Sequence, residues 1–377
     1  MKTFSENLVD SVVTDPPYEL GFMGKAWDKT GIAYNVDMWK EILRVLKPGG
    51  YLLSFGGTRT YHRMACAIED AGFEIRDMVE WMYGSGFPKS LNIGKTIDKL
   101  QGNGREVIGT KQHAKKDFKN NLYAQDSANR NNKKIFGYGK EELTKGNSDW
   151  EGWGTALKPA HEPICMARKP LSEKTVAENV LKWGTGGINV DGCRVPTNRD
   201  NVNSRKDKSG GCEFFMKGDK RGETEWNGVQ GRFPANLIHD GSEEVVELFL
   251  VIGKTHGGRS GKQSNGIFGK FGGEYQDIGD SGSAARFFYC AKASKNERGN
   301  GNNHPTVKPI VLMKYLIKLI TPPNGIVLDN FMGSGSIGKA AILEGFNFIG
   351  IENEGKYCEI SVKRLRQEVF DFRKEPS

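Results

Sequence analysis

Paired cysteines are missing from this sequence. Its six cysteines, Cys66, Cys165, Cys193, Cys212, Cys290 and Cys358, are scattered, and none belongs to a C-x-x-C pair. That argues against a disulfide framework and fits buried, reduced thiols in a cytoplasmic setting. His161 and Cys165 stand four apart with Cys193 and Cys212 beyond them, a spacing that fits no common zinc pattern, so no metal is expected. The N-terminus lacks the basic-then-apolar order of a signal segment. No apolar run approaches the length of a membrane span, so a soluble chain without a membrane partner is expected. Apolar residues are scarce too, at 37% of 377 residues, with a mean hydropathy of −0.55. Glycine is plentiful, with 49 residues, about twice its usual share. The length allows one large or two ordinary domains, but much of the chain must be loop. The net charge of +8 suits an anionic partner.

Order is concentrated at the two ends. "SVVTD" reads as a short strand that runs into a proline turn. "NVDMWKEILRVLKPGG" places Val36, Trp39, Ile42, Leu43 and Leu46 on one helical face and stops at Lys47-Pro48-Gly49. "YLLSFGG" and "EIRDMVEWMYG" read as strands around the helix "YHRMACAIEDAGF", and strands alternating with helices predict a parallel sheet. "HEPICMARKP" reads as a returning strand and "RFFYCA" as another. Near the C-terminus, "PIVLMKYLIKLI" is expected as an amphipathic helix with Pro309 ahead of it. The strand "GIVLDNF", the helix "SIGKAAILEGF", the strand "FIGIEN" and the helix "KYCEISVKRLRQEVF" follow. The pattern divides the chain into 1–86, a polar insertion at 87–157, the returning strand at 158–170, a second irregular region at 171–303, and 304–377.

Two motifs carry chemistry. In "VLDNFMGSGSIGKAA" a strand meets a glycine-spaced turn and a helix, with Phe331, Gly333 and Gly335 in F-x-G-x-G spacing. Glycines at such a turn let the backbone approach a ligand. The next strand ends in Glu352, where an acid holds a ribose diol in nucleotide sites. The other motif is "TDPPYEL" near the N-terminus: a carboxylate, two prolines and an aromatic ring at Asp15, Pro16, Pro17 and Tyr18.

Together these motifs resemble those of the S-adenosylmethionine-dependent amino-methyltransferases of DNA. The order, D-P-P-Y first and F-x-G-x-G last, resembles the circularly permuted β class. "HPTVKP", His304 to Pro309, resembles that family's motif X. The resemblance covers the two flanks, roughly half the chain. It implies an α/β fold, a Rossmann-like, doubly wound and mostly parallel sheet interrupted by a long irregular basic insertion. It also implies S-adenosylmethionine as cofactor and double-stranded DNA as partner. An exocyclic amine is a poor nucleophile because its lone pair is delocalised into the ring. Asp15 and the Pro16 carbonyl would accept its N–H bonds, Pro16 and Pro17 would hold both acceptors in place, and Tyr18 would stack on the extruded base. Phe331, Gly333 and Gly335 would line the methionine half of the cofactor, and Glu352 would take the ribose hydroxyls. Asp329 would hold the turn or reach the ligand amine, and Lys308 would pair with the methionine carboxylate.

Three departures stand out. Asn330 replaces a frequent proline, and Ser336 a frequent threonine. The "FSENLVD" loop begins at residue 4, where family members have a preceding strand; either Met1 is an internal start or the sheet lacks an edge strand, and the first, with weak cofactor binding, is expected. The regions at 87–157 and 171–303 are expected to contact DNA through residues such as Lys89, Arg130, Lys133, Lys134, Arg194, Arg199 and Arg205, the second serving as the target-recognition region. Asp at the head of the D-P-P-Y turn points to adenine N6, with cytosine N4 as the alternative. RNA or protein-amide methyltransferases usually carry Asn-Pro-Pro-Tyr and the opposite motif order. A non-catalytic DNA-binding protein on the same scaffold is the reading of another class, which the intact turn disfavours. A homodimer and a cognate restriction endonuclease are left open.

Overall fold

A computed structural model describes residues 1–20, 26–86, 88, 90–112, 140–196, 231–252, 264–266, 269–271, 282–291 and 307–371. The chain divides into two units, one of residues 1–84 with 161–377 and one of residues 85–160.

The larger unit is organised by one sheet. Its strands are β1 (Val9–Thr14), β2 (Leu46–Phe55), β3 (Glu74–Met82), β6 (His161–Arg168), β7 (Leu237–His239), β12 (Tyr289–Cys290), β13 (Ile326–Asp329) and β14 (Asn347–Gly350). Between them lie the short β8 (Val251–Ile252), β9 (Ser264–Gly266), β10 (Gly269–Phe271) and β11 (Gly282–Ser283), which pair as β8 with β11 and β9 with β10. Within the sheet the order is β12-β7-β3-β6-β2-β1-β13-β14. All neighbours are parallel except β6, which runs antiparallel to both β2 and β3. The mostly parallel, doubly wound sheet matches the expected class. Two of its strands, β7 and β12, come from the 171–303 region.

The helices of this unit are α1 (Val36–Val45), α2 (Tyr61–Asp70), α4 (Val176–Trp183), α5 (Glu243–Val246), α6 (Ile310–Ile320), α7 (Ser336–Leu343) and α8 (Gly355–Asp371). Both faces of the sheet are covered, as a parallel sheet requires. Alternate residues of one strand therefore enter different cores. Val12, Leu52 and Leu328 pack with Trp39 and Ile42 of α1 and Ile68 of α2, whereas Val13, Leu53 and Val327 pack with Leu312 and Leu316 of α6 and Ala340 of α7.

Local chemistry sets the helix ends. The Asn35 side chain accepts the Asp37 and Met38 amides at the start of α1. Thr175 and Glu178 form a reciprocal capping box on α4, which stops at Gly184 in the left-handed region. Two sequence expectations shift. Leu46, expected on the helical face of α1, begins β2, because it pairs with Val9 and Pro48 cannot continue a helix. The helix expected to be amphipathic, α6, buries eight of its eleven residues, since it sits in the core against α7 and the sheet. Of the thiols, Cys165 and Cys193 are buried as expected, whereas Cys66, Cys290 and Cys358 are exposed; Cys212 lies outside the described residues. No described helix is long and apolar enough to cross a membrane.

The smaller unit contains α3 (Ile93–Gln101) and an antiparallel pair, β4 (Glu106–Gln112) and β5 (Lys140–Lys145). Arg105 organises it. Its guanidinium bonds Asp98, both oxygens of Glu151 (2.9 and 2.7 Å) and the Thr144 carbonyl (3.0 Å).

Candidate active site

The two motifs meet at the sheet's C-terminal edge. β1 and β13 are adjacent and parallel, with Ser11 opposite Val327 and Val12 opposite Leu328. The D-P-P-Y turn and the glycine bend therefore leave the sheet side by side. The Thr14 hydroxyl donates to Asp329 Oδ1 at 2.9 Å, and the Phe331 amide donates to the same oxygen at 3.0 Å. Asp329 is 1% exposed. Burial pushes its carboxyl up, the two hydrogen bonds pull it down, Asp15 and Glu352 push it up again, and it ends at about 7. Asp329 thus holds the turn.

Beyond it the backbone bends through Gly333 (φ 53°) and Gly335 (φ 79°), left-handed conformations that glycine adopts at little cost. Glu352 receives the Gly333 amide on Oε2 at 2.8 Å and the Glu354 amide on Oε1 at 2.9 Å. From α8, Ser361 donates to the Gly333 carbonyl at 2.8 Å, and Arg364 bonds the Ser334 carbonyl and hydroxyl. Asn330 Oδ1 is buried with no hydrogen-bond partner among the described residues.

On the other side, Thr60 donates to the Tyr18 carbonyl at 2.7 Å and fixes the end of the turn. Pro16 is buried, while Asp15, Pro17 and Tyr18 are half-buried. Asp15 Oδ2 accepts from Lys308 Nζ at 2.7 Å, whereas Asp15 Oδ1 is buried and has no partner among the described residues. The Lys308 ammonium also reaches the Tyr18 hydroxyl at 2.9 Å and Glu162 Oε2 at 3.2 Å. Tyr18 in turn donates to Glu162 Oε2 at 2.9 Å. Lys308 Nζ lies 4.9 Å from the ring centre of Phe55 and 5.2 Å from that of Tyr18. Burial disfavours its charge, but the Asp15 and Glu162 carboxylates outweigh that and hold it protonated well above the ordinary range. Burial, then Asp15 and Glu162, raise the Tyr18 phenol, which stays neutral.

The structure thus joins Asp15, Pro16, Pro17 and Tyr18 to Asp329, Phe331, Gly333, Gly335 and Glu352 along one sheet edge. Lys308, expected to pair with the methionine carboxylate, lies against the D-P-P-Y turn, with two carboxylates within 3.2 Å of its ammonium. Glu162 escaped the sequence reading. It is the second residue of β6, paired with Trp81, and the reversed direction of β6 brings its beginning to the edge where β1, β2 and β3 end.

Of the seven basic residues named above for DNA contact, Arg194 alone is described. Its Nε lies 2.8 Å from Asp191, Nη1 bonds the Gly231 carbonyl at 3.2 Å and the guanidinium lies 5.7 Å from the ring centre of Phe233. Lys89, Arg130, Lys133, Lys134, Arg199 and Arg205 lie outside the described residues, as does His304. No cluster of metal-ligating side chains occurs among the described residues.

Comparison with known proteins follows the same lines. The type II methyltransferase M.BglI of Bacillus subtilis is 40% identical over 90 residues, which are 24% of this chain and 24% of that protein. The type II methyltransferase M.HindIII of Haemophilus influenzae is 23% identical over 333 residues, 88% of this chain and 68% of that protein. The chain thus matches about a quarter of the length of M.BglI and two thirds of M.HindIII. Among solved structures, the PvuII DNA methyltransferase (cytosine-N4-specific) is 14% identical with a TM-score of 0.43, covering 98% of this chain and 86% of that one. The N6/N4 methyltransferase family model, described as DNA methylase, matches residues 9–363, and the chain belongs to that family.

Proposed function

We propose that this protein transfers a methyl group from S-adenosylmethionine to the N6 amine of an adenine extruded from double-stranded DNA. The observation that carries the reading is the open oxygen of Asp15. It is a buried carboxylate acceptor without a partner among the described residues, one strand away from a glycine bend whose strand-end acid is bonded to Thr14.

The acceptor set at the bend fits the cofactor. Each Glu352 oxygen takes one backbone amide, which leaves a lone pair on each for a ribose diol. The buried, unpaired Asn330 Oδ1 offers an acceptor for a ligand N–H. Phe331, Gly333 and Gly335 would border the methionine half, as their spacing implies. When bound, S-adenosylmethionine supplies an electrophilic sulfonium methyl.

The chain's own residues act on the other reactant. Asp15 Oδ1 accepts one amine N–H and the Pro16 carbonyl accepts the other, which draws the nitrogen out of conjugation and exposes its lone pair. The stiffness of Pro16 and Pro17 spares the reorganisation that water would need. The Tyr18 ring, held by its hydroxyl between Glu162 and Lys308, gives the base a face to stack on. Reaching this edge requires the base to leave the duplex. Asp at the head of the turn favours adenine over cytosine. The regions 87–157 and 171–303, with their lysines and arginines, are assigned to phosphate contact and target recognition.

The test is transfer of tritium from labelled S-adenosylmethionine into DNA, followed by digestion to nucleosides and mass spectrometry. N6-methyladenine is expected. Asp15→Ala should reduce transfer by at least about 10³-fold while DNA binding persists, because it removes the carboxylate acceptor. Label in N4-methylcytosine would overturn the base assignment, and no label in any DNA would overturn the reading.

A further inference from the structure

The Lys308 ammonium creates an electrostatic problem for the reaction proposed above. It stands 2.7 Å from Asp15 Oδ2 and is held protonated. Asp15 and Lys308 alone form a neutral pair. Yet the acceptor of a methyl group becomes a cation. The amine lone pair forms the N–C bond, the C–S bonding pair stays on sulfur, and the nitrogen carries a positive charge until a proton passes through Asp15 to solvent. A neutral pair stabilises that charge poorly.

We propose that Glu162 is a positioning residue for this chemistry. By binding Lys308 it restores a net negative charge around Asp15, and it keeps the ammonium away from the open Asp15 oxygen. The proposal rests on the methyltransferase reading. Three features support it. Glu162 is the second carboxylate on Lys308, at 3.2 Å, and with Asp15 it brings the cluster to a net charge of −1. An ammonium has three N–H donors; two go to Asp15 Oδ2 and the Tyr18 hydroxyl, and the charge also sits 3.2 Å from Glu162 Oε2. Asp15 Oδ1 receives none of these donors and stays unpartnered among the described residues. Glu162 also accepts the Tyr18 hydroxyl proton, so the phenol oxygen presents its lone pair to Lys308.

The side chains of Asp15 and Glu162 are each 19% exposed and that of Lys308 is 11% exposed, so solvent screens these charges weakly.

The experiment measures single-turnover methyl transfer to duplex DNA in wild type, Glu162→Gln, Lys308→Met and the double variant, each at saturating cofactor and DNA. Glu162→Gln should slow the chemical step on the order of 10²-fold, with cofactor and DNA affinities and the melting temperature unchanged. Glu162→Asp keeps the charge and should stay within about tenfold of wild type. The double variant should be at least about tenfold faster than Glu162→Gln, because removing anion and cation together returns Asp15 to a net charge of −1. A merely structural role for Glu162 would not produce that recovery. A Glu162→Gln rate within threefold of wild type, or a double variant slowed by the product of the two single effects, overturns the assignment while leaving the methyltransferase reading intact. A wild-type protein that transfers no methyl group to DNA takes both down.

Discussion

Asp329 offers a quantitative test of the joint between the two motifs. Burial holds its folded carboxyl at about 7, against an ordinary value of about 3.9 in an unfolded chain. Between these values the folded protein binds a proton that the unfolded chain has released. Stability is therefore fully present below about pH 4 and falls as pH rises through 7. A shift of about 3 units corresponds to about 4 kcal/mol, with relaxation of the site lowering this toward 2. At 1% exposure, solvent offers Asp329 little relief. Asp329→Asn keeps an oxygen for the Thr14 hydroxyl and the Phe331 amide but cannot ionise. The variant should thus gain stability relative to wild type as pH rises, by about 2–3 kcal/mol between pH 5 and pH 8. Urea unfolding followed by tryptophan fluorescence at unit pH steps measures this directly. Groups common to both proteins cancel in the difference. If the stability difference stays constant within about 0.5 kcal/mol over that range, Asp329 is not a buried acid with a raised pKa, and the account of the joint is wrong.

Asn179 is fully buried and bridges the Pro48 carbonyl (2.8 Å) and the Thr185 carbonyl (2.7 Å) while accepting the Ser172 amide (3.1 Å). Asn179→Leu should therefore cost about 3 kcal/mol in chemical denaturation, from several buried groups left unpaired. In the smaller unit, Arg105→Leu strands the 2% exposed Asp98. Limited proteolysis within residues 85–160 should accelerate, and adding Asp98→Asn should restore part of the resistance; unchanged cleavage would contradict the central place of Arg105. DNA affinity should fall as salt rises, with a log–log slope of about −0.9 for each phosphate neutralised. A flat response in a binding titration from 50 to 200 mM salt would remove the basic regions from the account.

Much of this architecture was legible because it is local. "SVVTD", "GIVLDNF" and the glycine bend announce a strand that ends in a turn, and both turns lie where those strands stop. What depends on pairing was not legible. β6 contains no residue that declares its direction, so its reversal, and with it the position of Glu162, follows only from its register with β2 and β3. Lys308 was recognised as a site residue, but its partners lie 293 and 146 positions away in sequence, beyond any local pattern. Leu46 shows the same contest in small, where helical periodicity loses to a strand partner at Val9. For α6, eleven residues with lysines at two positions read as one-sided, yet packing from two directions buries it nearly all round.

The hydrogen bond between Thr14 and Asp329 spans 315 residues of chain. At the usual 5–20 residues per second of synthesis, the first half of the site waits roughly 15–60 s on the ribosome for its counterpart. Closing so long a loop makes this one of the least local contacts in the molecule, and such contacts form late. A nascent or truncated chain therefore has strand-forming surface but no assembled crevice, and competence to react is withheld until the final strands dock beside the first.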